Sequence, residues 1–136
     1  MMSRVTEPPE SLAFSIPLHD HIGMEVRTLG PPAVLEVPLT DAIRGAVAPV
    51  HGGIIATMAD VACAAAIGPF DYSTEIPVST ELHVRYLGQP QTSPLVAEAE
   101  IVHRGKRLIA AECVIRDADG RQVARASGTY MIVPRP

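Results

Sequence analysis

Four residues close together in the chain have the types and spacing for chemistry on a carbonyl group: His51, Gly52, Gly53 and Asp60. His51-Gly52-Gly53 opens a segment, Gly52 to Ile67, that lacks proline and carries five alanines in its last ten residues, which predicts a helix. The first N–H groups of a helix have no acceptor within it, and the helix dipole adds partial positive charge at that end. An anion or a polarised carbonyl oxygen is therefore favoured there. Two glycines let a substrate come close to that backbone. A tight turn into a helix, capped by a histidine, explains the same three residues without any chemistry, and the triplet alone does not separate the two readings.

Asp60 is the residue that tips the balance. It is an acidic side chain in the middle of an otherwise apolar helical segment, where an unpaired charge costs several kcal/mol. Either it is solvated or paired with an arginine of the sheet, or it is a general base or nucleophile. His51 and Asp60 are nine residues apart, which at about 100° and 1.5 Å per residue puts them on opposite sides of the helix and about 13 Å apart along it. One chain does not readily bring both to one substrate atom. If both act, two chains must lie with their helices side by side, and the spacing predicts a two-fold dimer with two shared sites.

The elements that must hold these residues follow from the rest of the pattern. Residues 1–18 carry Pro8, Pro9 and Pro17 and are expected to form an N-terminal arm, with one domain over 19–136. Met24 to Arg27 and Val34 to Val37 flank Gly30-Pro31-Pro32, which predicts a hairpin, and Asp41 to Val50 reads as a loop into the helix. Ile54, Ile55, Met58, Val61, Ala62, Ala65 and Ala66 cover most of the helix circumference, so it should be buried on nearly all sides until Gly68-Pro69 stops it. After Ile76 the apolar residues alternate: Leu82, Val84 and Tyr86 against Glu81, His83 and Arg85, then Leu95 to Ile101, Ile109 to Ile115 and Val123 to Ile132. One apolar helix followed by a long antiparallel meander implies an α+β fold in which a curved sheet wraps the helix.

With that frame in place, Val50-His51-Gly52-Gly53-Ile54-Ile55-Ala56-Thr57-Met58-Ala59-Asp60 resembles the His-Gly-Gly-to-Asp signature of hotdog-fold acyl-CoA thioesterases of the phenylacetate-pathway type. Pro77 to Leu87, His103 to Arg107 and Asp117 to Ala124 resemble that family's later strands, and the likeness spans roughly residues 20 to 133. The resemblance implies hydrolysis of an acyl-CoA thioester. Asp60 would activate water or attack the thioester, the amide of Gly52 or Gly53 after His51 would polarise the carbonyl, and Ser79 would assist. A strand hydroxyl bonded to backbone explains Ser79 equally well. Arg104, Lys106 and Arg107 around Gly105 read from composition as a solvated hairpin tip. The resemblance implies instead that coenzyme A lies along this turn, near Arg85 and Tyr86. The sequence departs from the family at Gly45, where many members carry an asparagine that helps to hold the water.

The remaining features bound the function. The chain has 136 residues, 47% hydrophobic but only 4% aromatic, so its core must be made of small aliphatic side chains. A net charge of −4 without basic runs argues against nucleic-acid binding. No apolar run is of signal-peptide or membrane-spanning length, and a cytoplasmic protein is expected. Cys63 and Cys113 read as small core residues, His19-Asp20-His21 as surface or loop residues rather than a metal site, and His83 and His103 as strand residues without a role. No metal or redox cofactor is expected, coenzyme A being part of the substrate. The partners expected are an acyl-CoA and further copies of this chain, as a dimer or as the tetramer common among relatives. Leu12, Phe14, Met58, Phe70 and Tyr72 are candidates to line an acyl pocket. A hotdog module that binds acyl-CoA without turnover, or a hydratase on the same fold, are the competing readings.

Overall fold

The computed structural model describes residues 16–68, 71 and 73–136. Most of the expected N-terminal arm, with Leu12 and Phe14, lies outside the described residues, as do Phe70 and Tyr72. Pro17 and Leu18, placed in that arm, begin a short helix α1 (Pro17–Ile22) in which His19, Asp20 and His21 also sit. It ends on Gly23 in the left-handed region. A hairpin follows, β1 (Glu25–Thr28) and β2 (Ala33–Val37), turning at Gly30, whose φ of 76° suits glycine. One turn of 3-10 helix (Asp41–Ile43) interrupts the loop into α2 (Gly52–Ile67). The long strands are β3 (Glu75–Tyr86), β4 (Leu95–Arg104), β5 (Leu108–Arg116) and β6 (Gln122–Pro134).

The six strands of the described residues form one antiparallel sheet in the order β1-β2-β4-β5-β6-β3, wrapped around α2 in the hotdog arrangement. The order corrects the simple meander read from alternation. β3 does not pair with β4. It crosses to the far edge beside β6, and β2 takes the place next to β4. The connection from 87 to 94 is too long for a hairpin and is pinned in steps across the end of the sheet. The N–H groups of Leu87 and Gly88 donate to Val123 O, Gln91 N–H to Asp117 Oδ2, and Ser93 Oγ accepts from Leu39 N–H.

The core is aliphatic and small, as the scarcity of aromatics requires. Leu35, Val37, Leu95, Ala97, Ala99, Ile115, Ala124 and Ala126 of the sheet face Ile55, Met58, Ala59, Ala62, Cys63 and Ala66 of α2, all buried. Alanines on both surfaces bring helix and sheet close, a shape that tolerates little added volume. The helix is less enclosed than its composition suggests. Eight of its sixteen residues are buried, while Ile54, Thr57, Asp60, Val61 and Ala64 form a half-exposed stripe at helical spacing. β1 is a short, charged edge strand, which discourages pairing. β3, at the other edge, is long and largely exposed.

Candidate active site

α2 starts on His51, whose φ of −65° and ψ of 131° are extended. Its Nδ1 accepts the Gly53 N–H at 2.9 Å, capping one of the orphan donors of the first turn. Since Nδ1 accepts, the neutral imidazole carries its proton on Nε2 and presents a donor outward. Gly53 N–H is thereby occupied. The Gly52 N–H, at the first helical position, has no acceptor within the helix and is the donor left for a substrate oxygen. Tyr86 closes this end: its hydroxyl donates to Gly52 O at 2.8 Å. Tyr86, Gly52, Gly53 and His51 therefore form a connected relay of hydrogen bonds that fixes the peptide beside the free N–H. Gly45 lies here too, and a Cβ added to it would sit 3.6 Å from His51 Cα.

Asp60 is two turns further along and half buried. No arginine or lysine pairs with it among the described residues. Its partner is Tyr130 of β6, 2% exposed, whose hydroxyl reaches Asp60 Oδ1 at 2.7 Å and Asp60 O at 2.8 Å. Burial first, and then the bond to Asp60, push the Tyr130 phenol well above its ordinary pKa, so it remains a donor. Oδ2 has no partner among the described residues, and no buried side-chain polar atom among them lacks one, so Oδ2 is open to solvent. Ser79, exposed, stands directly opposite Tyr130 in the β3–β6 ladder and so shares its face of the sheet. Tyr130 was not among the residues singled out by sequence. Its signal was a lone phenol on an inner strand face whose preceding positions are Ala124, Ala126 and Gly128.

The basic residues are divided. Arg85 and Tyr86 alternate along β3, and Arg85 faces away from the helix, opposite Arg125. Gly105 turns β4 into β5 at the far end of the sheet, near the C-terminus of α2, which is about 22 Å from Gly52 along the helix. Arg104 is bonded into the fold there, its Nη2 donating to Ile67 O at 3.1 Å, a C-terminal cap. Lys106 and Arg107 instead line a groove of ≈ 440 Å³ with Thr74, Glu75 and residues 131–134. A single chain thus brings together His51, Gly52, Gly53 and Tyr86 in one place, Asp60, Ser79 and Tyr130 in a second, and Lys106 with Arg107 in a third. Among the described residues no group of three or more His, Cys, Asp or Glu could hold a metal ion, and no helix is long and apolar enough to cross a membrane.

A model of the thioesterase superfamily matches residues 49–124, from just before His51 to the start of β6. The chain belongs to the thioesterase superfamily. The superfamily's chemistry, hydrolysis of a thioester, is accordingly the general activity to which the site must answer. A protein of Saccharolobus solfataricus named "Putative esterase" is 32% identical over 104 residues, 74% of this chain and 71% of that one. Among solved structures, a thioesterase of Staphylococcus aureus superposes with a TM-score of 0.80 at 24% identity, covering 88% of this chain and all of the other. A Bacillus halodurans protein crystallised with CoA does so with a TM-score of 0.76 at 26% identity, covering 88% of this chain and 77% of that one. The superfamily match includes His51, Asp60, Ser79 and the Arg104–Arg107 turn, and stops short of Tyr130.

Proposed function

We propose that this thioesterase-superfamily member hydrolyses an acyl-CoA thioester to a carboxylic acid and free coenzyme A, at sites shared between two copies of the chain. The observation that carries the reading is the Asp60 carboxylate, bonded at Oδ1, open at Oδ2 and the one charged side chain of α2. Oδ2 takes a proton from water, and the hydroxide attacks the thioester carbon. The same oxygen is also placed to attack that carbon directly, forming an anhydride that water then cleaves. In either course the carbonyl oxygen gathers charge against the Gly52 N–H, with His51 Nε2–H available beside it. Collapse breaks the C–S bond and releases coenzyme A as its thiolate, which recovers a proton. Neither course calls for a metal or a redox cofactor.

The shared site follows from distance. Gly52 and Asp60 of one chain are about 12 Å apart along α2, too far to serve one carbonyl. The half-exposed stripe of α2 and the free edge of β3 are the surfaces a second copy would cover. With β3 paired to its copy about a two-fold axis, the two helices run antiparallel, and each Gly52 approaches Asp60 of the partner subunit. The same operation brings the groove lined by Lys106 and Arg107 to the end that holds Gly52 and Tyr86 of the partner subunit. These two cations then suit the phosphates of coenzyme A. Such dimers pair further into tetramers through their sheets or helices.

Release of free thiol from a panel of acyl-CoAs tests the reading, with Asp60→Asn as the control. Turnover of at least one acyl-CoA that falls about a hundredfold or more in Asp60→Asn supports it; full activity in that variant overturns it. A second reading, acyl-CoA binding without turnover, is favoured by Gly45, which lies beside His51 and offers no side chain to hold a water. Tight binding of acyl-CoA with no thiol release would establish that alternative.

A further inference from the structure

Tyr130 reaches Asp60 only because of what the sheet leaves out. It stands on β6 two residues after Gly128, on the same face, and its ring lies back over that glycine. A Cβ added at Gly128 would come 2.9 Å from Tyr130 Cε1 and 3.3 Å from its hydroxyl, closer than the ring could accept without moving. With Ala126 next on the inner face, this small-residue floor lets a large buried side chain extend beneath α2 and place one hydroxyl against two oxygens of a single residue, Asp60 O and Oδ1. A buried tyrosine that only needed a hydrogen-bond partner would be satisfied by one of these.

We propose that Tyr130 is the positioning residue of the site: held over Gly128, it ties Asp60 Oδ1 to the main chain of the same residue and so fixes the direction in which Oδ2 meets the water or the thioester. The inference rests on Asp60 being the catalytic carboxylate. A free aspartate on a helix rotates about two bonds and spends little of its time in any one direction, whereas a clamped one is already oriented for reaction. Ser79, directly opposite Tyr130 in the ladder, is on the same side of the sheet but belongs to the exposed edge strand. The buried hydroxyl is the one that sets the carboxylate.

The test is Tyr130→Phe, which keeps the ring and removes the hydroxyl, measured with the substrate on which the wild type is most active. The expected result is a fall in kcat of about 10- to 100-fold, the range for loss of a hydrogen bond to a charged group, with KM within about twofold. Gly128→Ala, which displaces the ring, should reproduce the fall in kcat. In an Asp60→Asn background, Tyr130→Phe should cause no further loss of the residual activity, whereas a merely structural loss would lower it by the same factor as in the wild type. Tyr130→Phe with kcat within twofold of wild type, or with the same fold-loss in the Asp60→Asn background as in the wild type, overturns the proposal. If Asp60→Asn is itself fully active, the failure lies with the catalytic carboxylate; if Asp60→Asn is inactive and Tyr130→Phe is not, it lies with Tyr130 alone.

Discussion

Gly52→Pro separates the chemistry of the helix N-terminus from its structure. Proline lacks the N–H that is assigned to the thioester oxygen, and the first helical position is where a helix accepts proline best. The residue before a proline must be extended, and His51, with φ −65° and ψ 131°, already is. Gly52 lies in α2 with no positive φ, and a Cβ there meets Tyr86 at 3.5 to 3.6 Å, ordinary contact. The fold should therefore tolerate the change and gain up to about 1 kcal/mol from a stiffer unfolded chain. Removing one such donor costs on the order of 3 kcal/mol in the transition state, a fall in kcat of about a hundredfold or more. Gly52→Ala, which keeps the N–H and adds the same contact with Tyr86, should retain most activity. Thiol release from an acyl-CoA, followed beside thermal melting, reads both effects. A Gly52→Pro enzyme that melts no lower than wild type and turns over as fast as Gly52→Ala would refute the assignment of that amide.

Further outcomes follow from the basic turn and the β5–β6 corner. Arg104→Ala removes the C-terminal cap of α2 and should cost about 1 kcal/mol of stability at any salt concentration. Lys106→Ala with Arg107→Ala should leave the melting temperature unchanged and raise KM for acyl-CoA about tenfold, an effect that fades as salt is added. Asp117 is buried and its carboxylate accepts N–H bonds from Gln91, Arg121 and Asp119, which hold it below the usual carboxylate range. A depressed folded value means that this stabilisation is present above the unfolded pKa of about 4 and is lost as pH falls through the lower folded value. Melting temperature should drop on acidification below about pH 4, and Asp117→Ala should melt lower at neutral pH with a flatter acid decline.

Much of the fold was legible because its signals are local. Proline-free, alanine-rich 52–67 could only be a helix, and the alternation from Leu82 onward marked strands whose inner faces are those observed. The order of the strands was not. β3 lies beside β6 because Val123, Asp117 and Leu39 anchor the 87–94 connection, and those bonds join residues far apart in the chain. Asp60 stood out as a carboxylate among alanines, yet what satisfies it is seventy positions away. Alternation told only that Tyr130 faces inward, with nothing to say that its hydroxyl meets the helix. Conversely, the grouping of Arg85 with Tyr86 ignored the alternation already visible along β3, which puts one on each face. The half-open stripe on α2 was hidden because alanine, valine and isoleucine look the same whether they meet the chain's own sheet or a second copy.

The shared site is tested most directly by mixing two inactive variants. Asp60→Asn keeps the amide half of the site and Gly52→Pro keeps the carboxylate half, so each alone should be nearly inactive. If subunits exchange freely, half the dimers are mixed, and each mixed dimer has one site with both halves intact. Activity should return to about a quarter of the wild-type value at equal total protein. No recovery, in a sample whose mixed dimers are confirmed by native mass spectrometry, would contradict a site built from two chains.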